Sequence, residues 1–300
     1  MKEYLLYQAY GNILVINECK YSLLKLYDVY KQTGLQLPEI IIYTDKPQEF
    51  KIFEGNMPLL LQIVTAEQIR EWKGEINFVH RVKIKVIKDC LQKFTGKIIY
   101  TDTDTYVIKP LTSLFNSIDR SSVLFHEHEG VIESSYQFRK WKRFFEQASL
   151  EEPERKKLLQ TQMWNAGVIG LENSHLPLLD EVLNMTDQLY KQFHKHIAEQ
   201  FAFCYVFHKA GIAISAAKES IFHYWDLKEL RLLLSKFFLK YGSVPFNKLV
   251  EKSRNILPEK MLAEKMIYER SGSFKKIILL FTGKGWSINK YKRTVLLGSE

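Results

Sequence analysis

Two aspartates, Asp102 and Asp104, stand one residue apart in "KIIYTDTDTYVIKPL", the stretch from Lys97 to Leu111. The apolar run before them reads as a buried strand, so the pair falls where that strand ends. Each carboxylate raises the cost of ionising the other. A divalent cation removes that cost: Mg²⁺ and Mn²⁺ take oxygen donors and commonly use one or two carboxylates together with substrate phosphates. The chemistry suggested is a metal–pyrophosphate site. The bland alternative is a strand end with two solvated aspartates.

The elements that must carry this pair alternate. "YLLYQAY" (Tyr4 to Tyr10) suits a buried strand. Gly11 and Asn12 punctuate it, and "ILVINECKYSLLKLYDVYKQTG" follows with helical spacing up to Gly34. "EIIIYTD" is a second strand ending in Asp45, and "LLLQIVTA" a third, followed by a helix that ends at Gly74. "HRVKIKVIKDCLQKFTG" predicts a helix with Val82, Val86, Ile87, Cys90, Leu91 and Phe94 on one stripe, Arg81, Lys85 and Lys88 opposite, and Gly96 as its cap. Strand–helix alternation of this kind predicts an α/β fold with a mostly parallel sheet between helices. Ligands bind such sheets beyond the carboxyl ends of the strands. Asp45, Asp102 and Asp104 are therefore expected to share one cleft.

The middle, Glu127 to Gln162, is dense in charge and weak in periodicity; it reads as a strand followed by a surface excursion. "WNAGVIGL" then predicts a strand, Ser174 a helix cap with Pro177 in the first turn, and "IAEQFAFCYVFHKAG" a further helix. "IFHYWDLKELRLLLSKFFLKYG" predicts a short strand leading into a helix. The division expected is residues 1–228 as the catalytic unit and 229–300 as a helical, basic extension packed on it.

Composition narrows the class. The chain has 300 residues, 46% hydrophobic and 26% charged, and a formal net charge of +9. Those values fit a globular protein with an anionic partner. No recognisable nucleic-acid motif accompanies the charge, so nucleic acid is not an expected partner, although a basic polyanion-binding module is the non-enzyme alternative. Cys19, Cys90 and Cys204 sit among apolar neighbours with no C-x-x-C pair, which predicts three reduced core thiols. The first twenty residues lack a signal-peptide pattern, and no window offers the ~20 apolar residues of a membrane span. A cytoplasmic protein is expected, at most held peripherally on the inner face of a membrane.

D-x-D after an apolar strand serves two enzyme classes. In haloacid-dehalogenase-type phosphatases the pair is a nucleophile and an acid/base. Tyr106 occupies the fifth position of that pattern here, and no downstream G-D-x-x-x-D appears. In GT-A glycosyltransferases the pair holds a cation against a nucleotide-sugar diphosphate. Five segments of this chain, taken in order, resemble the retaining glycosyltransferases of family 8. They are His80-Arg81 before a helix, Asp102-Thr103-Asp104, "NAGVIGL" from Asn165, Glu199-Gln200 opening a later helix, and "HYWDLK" from His223 to Lys228. The likeness covers Tyr4 to about Lys228. This chain departs from the family pattern with Glu199 for the usual aspartate, a segment one residue shorter from His223 to Lys228, and "AYGN" in the first turn.

The resemblance implies a GT-A-type, Rossmann-like sheet and a Mn²⁺ or Mg²⁺ ion on Asp102, Asp104 and His223. It implies donor contacts from Ala9, Tyr10, Gly11, Asp45, Arg81, Thr103, Gly167 and Lys228. Ala9, Tyr10 and Asp45 would meet base and ribose, Arg81 the sugar or phosphate, and Lys228 the leaving diphosphate. Asn165, Glu199 and Gln200 are the catalytic candidates. Retention would leave Gln200 or Asn165 steadying an oxocarbenium-like sugar; inversion would need a carboxylate base, Glu199 or, behind it, Glu127. The implied reaction moves a sugar from a nucleoside diphosphate, UDP favoured, to a glycan or lipid-linked acceptor. The basic, aromatic C-terminus, with Phe274, Phe281, Trp286 and Tyr291 among Lys275, Lys276, Lys284, Lys290, Lys292 and Arg293 and only Glu300 against them, is a candidate surface for an anionic bilayer.

Overall fold

The structure, a computed structural model, describes residues 1–282 and 285–297. Its strands are β1 (Glu3–Gln8), β2 (Glu39–Thr44), β3 (Leu59–Ile63), β4 (Lys97–Thr101), β5 (Thr105–Val107), β6 (Ser122–Phe125), β7 (His128–Val131), β8 (Gln162–Trp164), β9 (Val168–Glu172), β10 (Ala213–Ala216) and β11 (Ile221–His223). Its helices are α1 (Ile13–Thr33), α2 (Ala66–Lys73), α3 (Arg81–Lys93), α4 (Thr112–Asn116), α5 (Arg139–Gln147), α6 (Glu152–Leu159), α7 (Leu176–Phe193), α8 (Ala198–Lys209), α9 (Leu230–Tyr241), α10 (Phe246–Ser253), α11 (Pro258–Arg270), α12 (Ser273–Phe281) and α13 (Lys292–Leu297).

A seven-stranded sheet runs in the order β10-β6-β9-β4-β1-β2-β3. All neighbours are parallel except β9, which is antiparallel to both β4 and β6. The expected mostly parallel sheet between helices is the observed architecture. β1 is buried on both faces, and its alternate residues serve different layers. Leu5 and Tyr7 pack with Ile16, Cys19, Leu23 and Leu24 of α1. Tyr4 and Leu6 pack with Val86, Cys90, Val182 and Phe203 of α3, α7 and α8. Each fully buried large apolar side chain contributes roughly 1.5–3 kcal/mol.

α1 begins where Asn12 accepts a bond from the Leu14 amide and ends at Gly34 in the left-handed conformation. It is buried nearly all round because helices from the C-terminal third cover its outer side. Leu230, Leu233, Leu234 and Phe237 of α9 share one cluster with α1 and β1. Tyr21 donates to the Ile256 carbonyl at 2.9 Å, and Arg254 grips Asp28 at 2.7 Å.

Three local expectations are corrected. α3 ends at Phe94, not at a glycine cap. Gly96 instead lets β4 pass under the chain entering β1, where a Cβ would lie 2.4 Å from the Lys2 carbonyl oxygen. Ser174 does not cap α7: a short 3₁₀ turn, Asn173–His175, intervenes, Glu172 caps that turn, and Ser174 bonds Glu172 at 2.7 Å. "WNAGVIGL" is not one strand: Asn165–Gly167 break it between β8 and β9.

The charged middle has more structure than its periodicity suggested. β7 and β8 form a two-stranded ribbon. α5 and α6 build a satellite core in which Trp141 stacks on Phe201 at 5.2 Å. The three cysteines are buried and free. No helix among the described residues is long and apolar enough to cross a membrane.

Candidate active site

The carboxyl ends of β1, β2 and β4 deliver Ala9, Asp45 and Asp102 to one edge of the sheet. β9 runs the other way, so its entry, Asn165–Gly167, arrives at that same edge. The Asp102 amide donates to the Gly167 carbonyl at 2.8 Å and locks the two together. β5 leaves the aspartate loop and pairs with β11, setting Thr105 opposite His223. This small ribbon carries His223 back onto Asp104.

One ligand atom from each of Asp102, Asp104 and His223 lies within 4.8 Å of the others. His223 Nε2 is 3.2 Å from Asp104 Oδ1, and Lys228 Nζ is 3.4 Å from Asp104 Oδ2. Asp104 is buried, which by itself would raise its pKa. The hydrogen bond and charge of His223, with the charges of Lys228 and Arg231, outweigh burial and hold it well below the usual carboxylate range. Asp102 accepts from Tyr100 Oη at 2.6 Å and from Lys83 Nζ at 3.3 Å.

Lys83 was not visible as a site residue. It lies on α3 in the apolar stripe, fully enclosed. Its ammonium also donates to the Ala166 carbonyl at 3.0 Å and sits 3.6 Å from Glu199 Oε1. Burial alone would lower its pKa, but the Asp102 and Glu199 carboxylates raise it above its ordinary value. Arg81, two residues earlier, turns the other way. It donates to Asp187 of α7 and to the Trp72 carbonyl, each at 2.8 Å. On this helix the cation that reaches Asp102 is Lys83.

Asn165 and Gln200 meet through a third unexpected residue, Glu129 of β7. Its two oxygens accept from Asn165 Nδ2 at 2.9 Å and from Gln200 Nε2 at 2.8 Å. The Asn165 carbonyl oxygen accepts from the Gly167 amide at 2.9 Å. Among the described residues nothing donates to the Gln200 carbonyl oxygen. Glu199 is buried beside Lys83 and near His80, and its second oxygen has no partner. Glu127 is more exposed and lies 3.9 Å from Lys218.

At the carboxyl ends of β1 and β2 Asp45 Oδ1 accepts from the Gly11 amide at 3.0 Å, and Lys46 donates to the Gly11 carbonyl. Tyr10 is half-buried beside Ala9; burial and the nearby Asp45 push its phenol up to about 12. Thr103 points into the body of the protein and donates to Glu18 of α1 at 3.5 Å. Sequence-selected residues thus gather as three neighbouring groups: Ala9, Tyr10, Gly11 and Asp45; Asp102, Thr103, Asp104, His223 and Lys228; and Asn165, Gly167, Glu199 and Gln200. Of the residues selected from the sequence, Arg81 is engaged with Asp187 and Trp72, Thr103 turns inward to Glu18, and Glu127 stands beside Lys218.

No family model and no curated protein matches this chain. Solved structures resemble it distantly. Mouse xyloside xylosyltransferase 1 in its apo form is 12% identical over 72% of this chain and 85% of its own, with a TM-score of 0.48. The galactosyltransferase LgtC with donor and acceptor sugar analogues is 13% identical over 71% and 73%, with a TM-score of 0.45. The glycosyltransferase GlyE of Streptococcus pneumoniae is 10% identical over 84% of this chain and 63% of its own, with a TM-score of 0.49. These likenesses are too distant to assign an activity.

Proposed function

We propose that this protein is a metal-dependent glycosyltransferase that moves a sugar from a nucleoside-diphosphate sugar, UDP favoured, to a hydroxyl of a glycan or lipid-linked acceptor. The observation that carries the reading is the convergence of Asp102, Asp104 and His223 at the carboxyl edge of the sheet, with Lys228 against Asp104. Two carboxylates and an imidazole are a fitting donor set for Mn²⁺ or Mg²⁺. When bound, that ion supplies charge stabilisation for the departing diphosphate.

The chain's own residues do the rest. Lys228 is exposed on a flexible stem and can move from Asp104 to the leaving phosphate. Lys83 holds Asp102 in place from behind. Asp45 fixes the Gly11 turn that faces the nucleoside, and Tyr10 offers its ring to the base. Glu129 fixes the Asn165 and Gln200 amides, which leaves the Gln200 carbonyl oxygen to face an electron-poor sugar carbon. Glu199 is buried against Lys83 and is poorly placed to take a proton from an acceptor. Both features favour retention over inversion. Engagement of Asp102 by Tyr100 and Lys83 weighs against its use as a phosphatase nucleophile.

The test is a donor screen. UDP- and GDP-sugars are incubated with the enzyme and Mn²⁺, and release of the nucleoside diphosphate is followed. The reading expects release from at least one UDP-sugar, abolished by chelator and by Asp102→Asn. Mg²⁺-dependent hydrolysis of phosphomonoesters without donor turnover would replace it with the phosphatase reading.

A peripheral bilayer contact through the C-terminal helices belongs to the same proposal. Leu232, Leu239, Ile267 and Phe281 are exposed there, with Lys236, Lys240 and Lys276 nearby in sequence. Trp286 and Tyr291 are half-buried and bond to the Met261 carbonyl and to Glu264 of α11. Lys284 and Glu300, and the side chains of Phe274 and Lys275, lie outside the described residues. Co-sedimentation with phosphatidylglycerol vesicles but not phosphatidylcholine vesicles is the expected result; equal recovery with both contradicts it.

A further inference from the structure

Resting on that transferase reading, we propose that Arg231 is a second cation of the diphosphate subsite, anchored by buried Glu18 and presenting its free guanidinium edge to the leaving phosphates.

The placement follows from a short chain of contacts. Thr103 is the middle residue of the aspartate loop, and its hydroxyl donates to Glu18 Oε2. The other oxygen of Glu18 accepts from Arg231 Nε at 2.9 Å. Glu18 is 1% exposed, so its carboxylate is cut off from water and depends on these donors. Arg231 is one turn beyond Lys228, and its amide donates to the Lys228 carbonyl at 3.2 Å. Lys228 itself reaches Asp104. Arg231 is thus tied to the aspartate loop from two directions, through Glu18 and through the turn that carries Lys228.

What remains unused is the outer edge of the guanidinium. Arg231 has five donors. Nε is committed to Glu18, and among the described residues neither Nη group donates to any acceptor. The side chain is 27% exposed, so those groups are not sealed in. A pinned guanidinium with two open Nη groups suits phosphate oxygens, because the planar fork matches their spacing and little entropy remains to be lost on binding. Lys228 contributes a mobile point charge and Arg231 a fixed one. The partner expected is a diphosphate rather than a monophosphate, because Arg231 is tied to the turn of Lys228, the residue that the transferase reading assigns to the leaving phosphates.

The test compares UDP with UMP, and GDP with GMP, in titrations with Mn²⁺ followed by calorimetry. Three proteins are used: the wild type, Arg231→Gln, and the double variant Glu18→Gln/Arg231→Gln. The double variant removes the carboxylate left unpaired by the single change and so guards against a folding defect. The proposal expects both variants to bind the nucleoside diphosphate about tenfold or more weaker, the loss of a charge-assisted hydrogen bond, with monophosphate affinity changed less than about twofold. Equal diphosphate affinity in wild type and double variant overturns the Arg231 assignment and leaves the transferase reading standing. Equal loss for mono- and diphosphate assigns Arg231 a general structural role and also overturns it. Failure of the wild type to bind either diphosphate overturns both.

Discussion

His223 lies so close to Gly167 that a Cβ at position 167 would fall 2.3 Å from the imidazole Cε1. The entry to β9 and the end of β11 thus meet at a spot where only glycine fits. The Gly167 carbonyl is simultaneously bonded to the Asp102 amide, so this contact sets the spacing of the whole carboxylate–imidazole group.

Gly167→Ala should therefore push His223 off Asp104. Overpacking of this kind costs about 1–3 kcal/mol. Mn²⁺ affinity in the presence of UDP, measured by electron paramagnetic resonance of the free ion, should fall by about tenfold or more. An unchanged Mn²⁺ affinity would mean that His223 is not a ligand.

Lys83→Met should be costly in the metal-free protein. The ammonium is the shared partner of Asp102 and Glu199. Removing one side of a buried charge group typically costs about 3–5 kcal/mol. Urea unfolding monitored by tryptophan fluorescence checks this, and a loss below about 1 kcal/mol would show that the two carboxylates do not depend on it.

Glu129→Gln replaces an acceptor of two amide protons by a group that can accept only at one oxygen. Asn165 and Gln200 then compete for it, and one amide is free to rotate. Turnover should fall by roughly 10- to 100-fold while the KM for the donor changes little, the pattern of an interaction realised in the transition state. A raised KM with intact kcat would place Glu129 in donor binding instead.

Stability should depend on pH through Glu18. Burial, opposed by Arg231 and reinforced by Asp104, pushes its carboxyl up to about 7. An acid whose folded pKa is raised binds its proton more tightly in the native state. Its contribution is therefore full below the ordinary carboxyl pKa near 4.5 and is lost as pH rises toward about 7. Wild type should lose stability relative to Glu18→Gln across that window, on the order of a few kcal/mol. Parallel pH profiles for the two proteins would show that Glu18 titrates normally.

The alternation of strands and helices was legible because period-2 and period-3.6 patterns are local. Asp102 and Asp104 were legible because two like charges after an apolar strand are costly without a reason. His223 was legible only through its neighbours in "HYWDLK", and the β5–β11 pairing that brings it to Asp104 is a long-range event. Lys83 was illegible because a lysine within "VKIKVIK" reads as a solvated face. It is buried instead, since Asp102 and Glu199 compensate its charge. Glu129 was hidden in a charged segment whose ribbon and satellite core depend on partners far along the chain. Arg231 was hidden because its anchor, Glu18, is more than two hundred residues away. Arg81 shows the converse: the right residue type beside the right motif, drawn off by Asp187.

Thermal unfolding with UDP and Mn²⁺ tests the central claim most directly, because a ligand that binds only the native state raises its stability. The melting temperature of the wild type should rise with UDP plus Mn²⁺. It should stay unchanged with UDP plus chelator, and unchanged in Asp104→Asn under either condition. Equal stabilisation by UDP with and without chelator, or in wild type and Asp104→Asn alike, would contradict a cation held by Asp102, Asp104 and His223 against the donor's phosphates.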